Sequence, residues 1–180
     1  MVGLIALALL GAAGADPGGI DPPVDLARPC RHFTWADLTR SGAATARGLD
    51  NRPPSRAVYL TLSRTARNIL DPLVDLLPYR VSVSSGYRSP RVNRAVGGYI
   101  HSDHLTGEGL DVVLYGTAGP LSSQAAARAI INARVPFDTL IWYGSDNHVH
   151  LSWHGGGGRR RIQFATSHGA TPVDRLPLVA

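Results

Sequence analysis

Seven histidines occur in the 180-residue chain, and four of them fall into two tight groups. The first group is His101-Ser-Asp-His104, followed by Gly107-Glu-Gly-Leu-Asp111, and the second is Asn147-His148-Val-His150. A catalytic zinc site takes three protein ligands with N or O donors and keeps a fourth position for water. Two histidines and a carboxylate meet that requirement. Cys30 is the single cysteine, which excludes both a Cys-cluster site and a disulfide scaffold within one chain.

Spacing narrows the candidates. His104 lies in a predicted loop and Asp111 in the strand after it, so two glycines between them let both converge on one ion. His148 and His150 are two apart on a predicted strand and therefore share one sheet face. One of them can supply the third ligand while the other lines the cleft. Asp111 sits in the apolar run Leu-Asp-Val-Val-Leu, where a carboxylate is costly to bury unless it is paired or bound to a cation.

These side chains need a frame. Apolar residues at Leu60, Leu62, Ala66, Ile69, Leu70, Leu73, Val74 and Leu77 predict a helix over 58–77, with Pro72 kinking it or dividing it into two abutting helices. Thr34 is placed to cap a short helix over 35–40, and Ser122 a helix over about 123–134. Alternation around Val81 and Val83, and the runs 109–115, 139–143 and 149–153, read as strands, with 161–165 as an edge strand. Helices first and then strands around one more helix predict an α+β domain, a small, mostly antiparallel sheet packed against helices.

The apolar stretch 1–15 resembles an export leader ending in Ala13-Gly14-Ala15, although no basic residue precedes it. Residues 16–31, rich in Pro, Gly and Asp, read as a linker, 32–168 as the domain and 169–180 as a tail. All 18 basic residues are Arg, and the net charge is +5. That charge is dispersed apart from Arg159 to Arg161, so it reads first as a solvated, mildly basic surface; it is compatible with an acidic cell-wall polymer or a membrane surface, and nucleic-acid binding is not expected. No apolar run approaches the roughly 20 residues that span a bilayer. Cys30 reads as an unpaired linker thiol, and His154 and His168 as exposed residues without partners.

Ser85-Gly-Tyr-Arg-Ser-Pro90, Asn93-Arg-Ala-Val-Gly-Gly98 and Ser102-x-His104-x-x-Gly107-x-Gly109-x-Asp111 closely resemble the zinc D-alanyl-D-alanine carboxypeptidase family. That family includes phage L-alanyl-D-glutamate endopeptidases and shares its fold with the hedgehog signalling domain. Asp50-Asn51, Phe137-Asp138 and Val149-His150-Leu-Ser152 extend the resemblance over about residues 32–165. It implies His104, Asp111 and His150 as ligands of one zinc ion. It also implies that Arg88 steadies a substrate carboxylate or the oxyanion, and that Ser102 bonds near the metal or substrate. The substrate class implied is the peptidoglycan stem peptide, handled by a monomer at the cell envelope or from a phage.

Two positions depart from the pattern. Gly109 stands where a small Ala is usual, and Asn147 stands where relatives often carry a catalytic acid. Asn147 cannot accept a proton at neutral pH, so the general base falls to Asp146, preferred here, or to His148, which titrates in the useful range.

Overall fold

The computed structural model describes residues 18–144, 146–155, 160–166 and 169–172. The expected leader, His168 and most of the Gly155–Arg161 stretch lie outside the described residues. Among the described residues, no helix is long and apolar enough to cross a membrane.

The elements run α1 (Trp35–Thr39), α2 (Gly42–Arg47), α3 (Arg56–Leu76), β1 (Arg80–Ser85), α4 (Pro90–Ala95), a 3₁₀ turn (Asp103–Leu105), β2 (Gly109–Gly116), β3 (Gly119–Pro120), α5 (Ser123–Asn132), β4 (Thr139–Tyr143), β5 (His148–Ser152), β6 (Arg161–Thr166) and β7 (Gly169–Pro172). Thr34 closes a reciprocal capping box with Asp37, and Ser41, Ser55, Ser89 and Ser122 cap the four later α-helices.

Helix α3 buries Tyr59, Leu62, Ala66, Ile69, Leu70 and Leu73, whereas Leu60 faces solvent. It continues through Pro72 as one helix, so the expected division does not occur. A missing N–H costs a single hydrogen bond, and a buried stripe on both sides of Pro72 outweighs it.

The strands form one sheet in the order β1-β2-β5-β4-β6-β7, with β3 paired to β2. All pairs are antiparallel except β4 with β6. The sheet is thus mostly antiparallel, as expected, with one parallel pair that makes it mixed. The cause is local: β2 already occupies the second edge of β5. Strand β6 therefore passes to the open edge of β4 and runs parallel to it. Residues 169–172, expected in a tail, form β7 against β6.

Period-2 alternation divides the sheet into two faces. Leu110, Val112, Leu114, Leu140, Trp142, Val149 and Leu151 join the core with α3 and α5. The residues between them, Asp111, Ile141, Tyr143, His148 and His150, belong to the other face.

Residues 18–31, read from the sequence as linker, have no helix or strand and are bound to the domain. Tyr59 donates its hydroxyl to the Ile20 carbonyl (2.9 Å), Ser63 to that of Pro29 (2.6 Å), and the Trp35 indole to that of Leu26 (2.6 Å). Cys30, expected to lie in a linker, is buried in the core with no disulfide.

Candidate metal centre

The register of β2 against β5 places Asp111 directly opposite His150. Both side chains stand on the face opposite the core, and His150 Nδ1 lies 2.9 Å from Asp111 Oδ1. His104 arrives from the 3₁₀ turn, capped by Ser102, with Nε2 3.2 Å from the same oxygen. Donor atoms of His104, Asp111 and His150 all fall within 4.8 Å of one another, and all three residues are buried.

The outer nitrogen of His104 has a defined partner. Its Nδ1 lies 2.6 Å from the Gly86 carbonyl, which can only accept, so Nδ1 carries the proton and Nε2 offers a lone pair. Gly86 is required for this: a Cβ there would stand 2.2 Å from the Leu38 carbonyl oxygen, against which the chain packs. A buried His-Asp-His set with nitrogen and oxygen donors turned toward one point fits the preferences of zinc.

Arg88 is more engaged than the sequence suggests. Its Nη2 donates to Asp111 Oδ2 (2.5 Å) and its Nε to Ser85 Oγ (2.8 Å), while its backbone N–H bonds the His104 carbonyl (3.0 Å). One edge of the guanidinium thus holds the second oxygen of Asp111. Ser102 Oγ accepts from the His104 N–H at 3.4 Å, the loop-fixing role of a cap.

The three central residues floor a cleft of about 450 Å³, whose walls include Arg88, Tyr99, His101, Ser102, Tyr143 and His148. His148 lines the cleft, its ring 4.5 Å from that of Tyr143, and its Nδ1 is 3.7 Å from Asp146 Oδ2. Asp146 is exposed in the β4–β5 turn, outside the cleft wall. Asn147 is exposed as well.

The charge pattern follows from burial and neighbours. Burial depresses the His104 imidazole, against the pull of Asp111. Burial opposes the Asp111 charge too, but His104 and His150 hold it well below the ordinary carboxylate range. Burial raises the Tyr143 phenol to about 12, reinforced by the Asp111 charge, so it remains a proton donor at neutral pH.

Some site neighbours escaped sequence reasoning. His154, read as having no partner, is exposed but bonded: its Nε2 is 3.2 Å from Asp103 Oδ1 and its backbone N–H reaches Asp138 Oδ2 at 2.6 Å. Asp103 and His154 are 51 positions apart, a separation no local motif signals. Tyr99 and Tyr143 carry no motif either; only the alternation of β4 could have put Tyr143 on the face of His148 and His150.

A family model described as Peptidase M15 matches residues 31–152. No curated protein matches the chain.

Proposed function

The chain belongs to the peptidase M15 family of zinc-dependent metallopeptidases, and from that membership we propose that it hydrolyses peptidoglycan stem peptides as a monomer at the cell envelope. The observation that carries the reading is the convergence of His104, Asp111 and His150 at the floor of a cleft also walled by Arg88 and His148. In this reading those three residues hold one zinc ion through His104 Nε2, an Asp111 oxygen and His150 Nδ1. When bound, zinc polarises a carbonyl and lowers the pKa of its water toward neutrality.

The chain's own groups do the rest. Arg88 fixes Asp111 through Oδ2 and steadies a substrate carboxylate or oxyanion with the remainder of its fork. In this reading His148, which lines the cleft, accepts a proton at Nε2, its Nδ1 lying 3.7 Å from Asp146 Oδ2. This arrangement favours His148 as the base, with Asp146 orienting it. Tyr143 keeps its proton and donates to the substrate, and Ser102 holds the loop that carries His104. The surplus of arginine suits an anionic wall, and outside Arg159 to Arg161 the basic residues form no run in the sequence.

Asn147 supports a second reading, a non-catalytic wall-binding or virion module on the same fold. Purified peptidoglycan and synthetic stem peptides decide between them. A peptidase releases free amino groups, and the release disappears with chelator and in His104→Ala. Mass spectrometry of the products then separates loss of a terminal residue from an internal cut. Binding to peptidoglycan by folded, zinc-loaded protein without any release would establish the module.

A further inference from the structure

Asp103 belongs to none of the roles above, yet its carboxylate lies between two histidines. On one side Oδ2 is 3.7 Å from Nε2 of His150, the ring nitrogen turned away from Asp111. On the other, Oδ1 is 3.2 Å from Nε2 of His154. His154 is itself anchored by its backbone N–H to the buried Asp138. The run Asp138, His154, Asp103 and His150 thus leads from the domain interior to the centre.

Gly109 completes the picture. A Cβ at this position would lie 2.9 Å from Cε1 of His150 and 3.0 Å from both the Asp103 Cβ and the His104 nitrogen. Such a methyl group would press on the His150 ring and on the turn that carries Asp103 and His104. The glycine at 109 is what lets the Asp103 side chain stand beside the imidazole.

We propose that Asp103 is a positioning residue for the metal centre: its carboxylate fixes the His150 ring through Nε2, His154 braces that carboxylate from outside, and Gly109 leaves the room the contact needs. The inference rests on reading His104, Asp111 and His150 as metal ligands. A carboxylate on the outer nitrogen sets the tautomer, leaving the lone pair on Nδ1, and makes the imidazole a stronger donor.

The test measures metal binding rather than turnover, by competition of full-length protein with a chromophoric zinc chelator and by the visible spectrum of the cobalt(II)-substituted form. Asp103→Asn weakens zinc about 10- to 100-fold and changes the cobalt spectrum, while the chelated protein melts as wild type does. His154→Ala, an exposed site that spares the fold, weakens zinc several-fold in the same direction. Gly109→Ala weakens zinc too, and combining it with Asp103→Asn adds less than the sum of the two, because both act on one ring. Unchanged affinity and spectrum in Asp103→Asn and His154→Ala, with wild type binding tightly, overturn the positioning role alone. Wild type binding no more zinc than His104→Ala instead overturns the metal-centre reading, and this role with it.

Discussion

Asp111 and His150 face one another across adjacent antiparallel strands, and their side chains meet at 2.9 Å on the face of the sheet opposite the core residues. A cross-strand pair of this kind is fixed by register, because a slip of one residue in either strand would turn its member of the pair into the core. The apolar neighbours Leu110, Val112, Val149 and Leu151 prevent that slip, all being fully buried. Core packing and the candidate ligand set are thus two readings of one alternation.

Metal removal is expected to loosen the protein measurably. A ligand that binds only the folded state stabilises it by about 4 kcal/mol at a thousandfold excess over its dissociation constant. Chelator should lower the melting temperature by several degrees and added zinc restore it. His150→Ala should melt at the same temperature with and without zinc, as scanning calorimetry would show.

His148 and Asp146 should separate by magnitude. Removing a general base costs about 100- to 10,000-fold in turnover, so His148→Ala falls in that range with its zinc retained. Asp146→Asn, which touches only the outer nitrogen, should cost about tenfold. The reverse order in steady-state kinetics would make Asp146 the proton acceptor.

Arg88→Lys keeps the charge but not the fork that reaches Asp111 and Ser85 together. Zinc affinity should drop about tenfold and turnover further, with the far-ultraviolet spectrum unchanged. Wild-type values for Lys at this position would reduce Arg88 to a point charge.

Asn51 ties together the segments at Thr39, Tyr87 and Ser89, next to Arg88. Its buried amide donates to the Thr39 and Tyr87 carbonyls (2.7 and 3.0 Å) and accepts from the Ser89 N–H (2.7 Å). Asn51→Ala leaves these groups unpaired and should cost about 3 kcal/mol in urea unfolding. Zinc content should fall only in proportion to unfolded protein.

Strong acid should loosen the segment at Gly19, whose N–H donates to Asp50 Oδ2. Side-chain and backbone hydrogen bonds from Arg52 hold the Asp50 carboxyl at about 2, below the ordinary 3.8. A depressed carboxylate contributes stability that is complete above pH 3.8 and lost as pH falls through about 2. Asp50→Asn should flatten the pH dependence of the melting temperature in that window, lowering it slightly at neutral pH and leaving it unchanged below about pH 2, the effect being small because Asp50 is exposed.

The parts legible in the sequence are those written in short range. The Ser102-to-Asp111 motif, the period of α3 and the alternation of β2 and β5 each lie within one element or one loop. Short helices α2 and α4 carried too few turns to show a period. Pairing of β6 with β4 depends on which edge was open, a property of the assembled sheet. For the same reason Asp103 looked like filler in Ser-x-His, because its partners His150 and His154 lie far along the chain. The choice between Asp146 and His148 turned on where a hairpin aims its side chains, which strand alternation fixes for His148 and leaves open for Asp146.

The third donor of the centre lies 39 residues beyond Asp111, on a strand that reaches its neighbour only after β3, α5 and β4 have been laid down. While the protein emerges from the ribosome, a chain paused before β5 carries the first imidazole and the aspartate but lacks the strand that closes them into a pocket. On the zinc reading, capture of an ion therefore waits for the end of synthesis, and a nascent chain cut short there lacks one of the three donors.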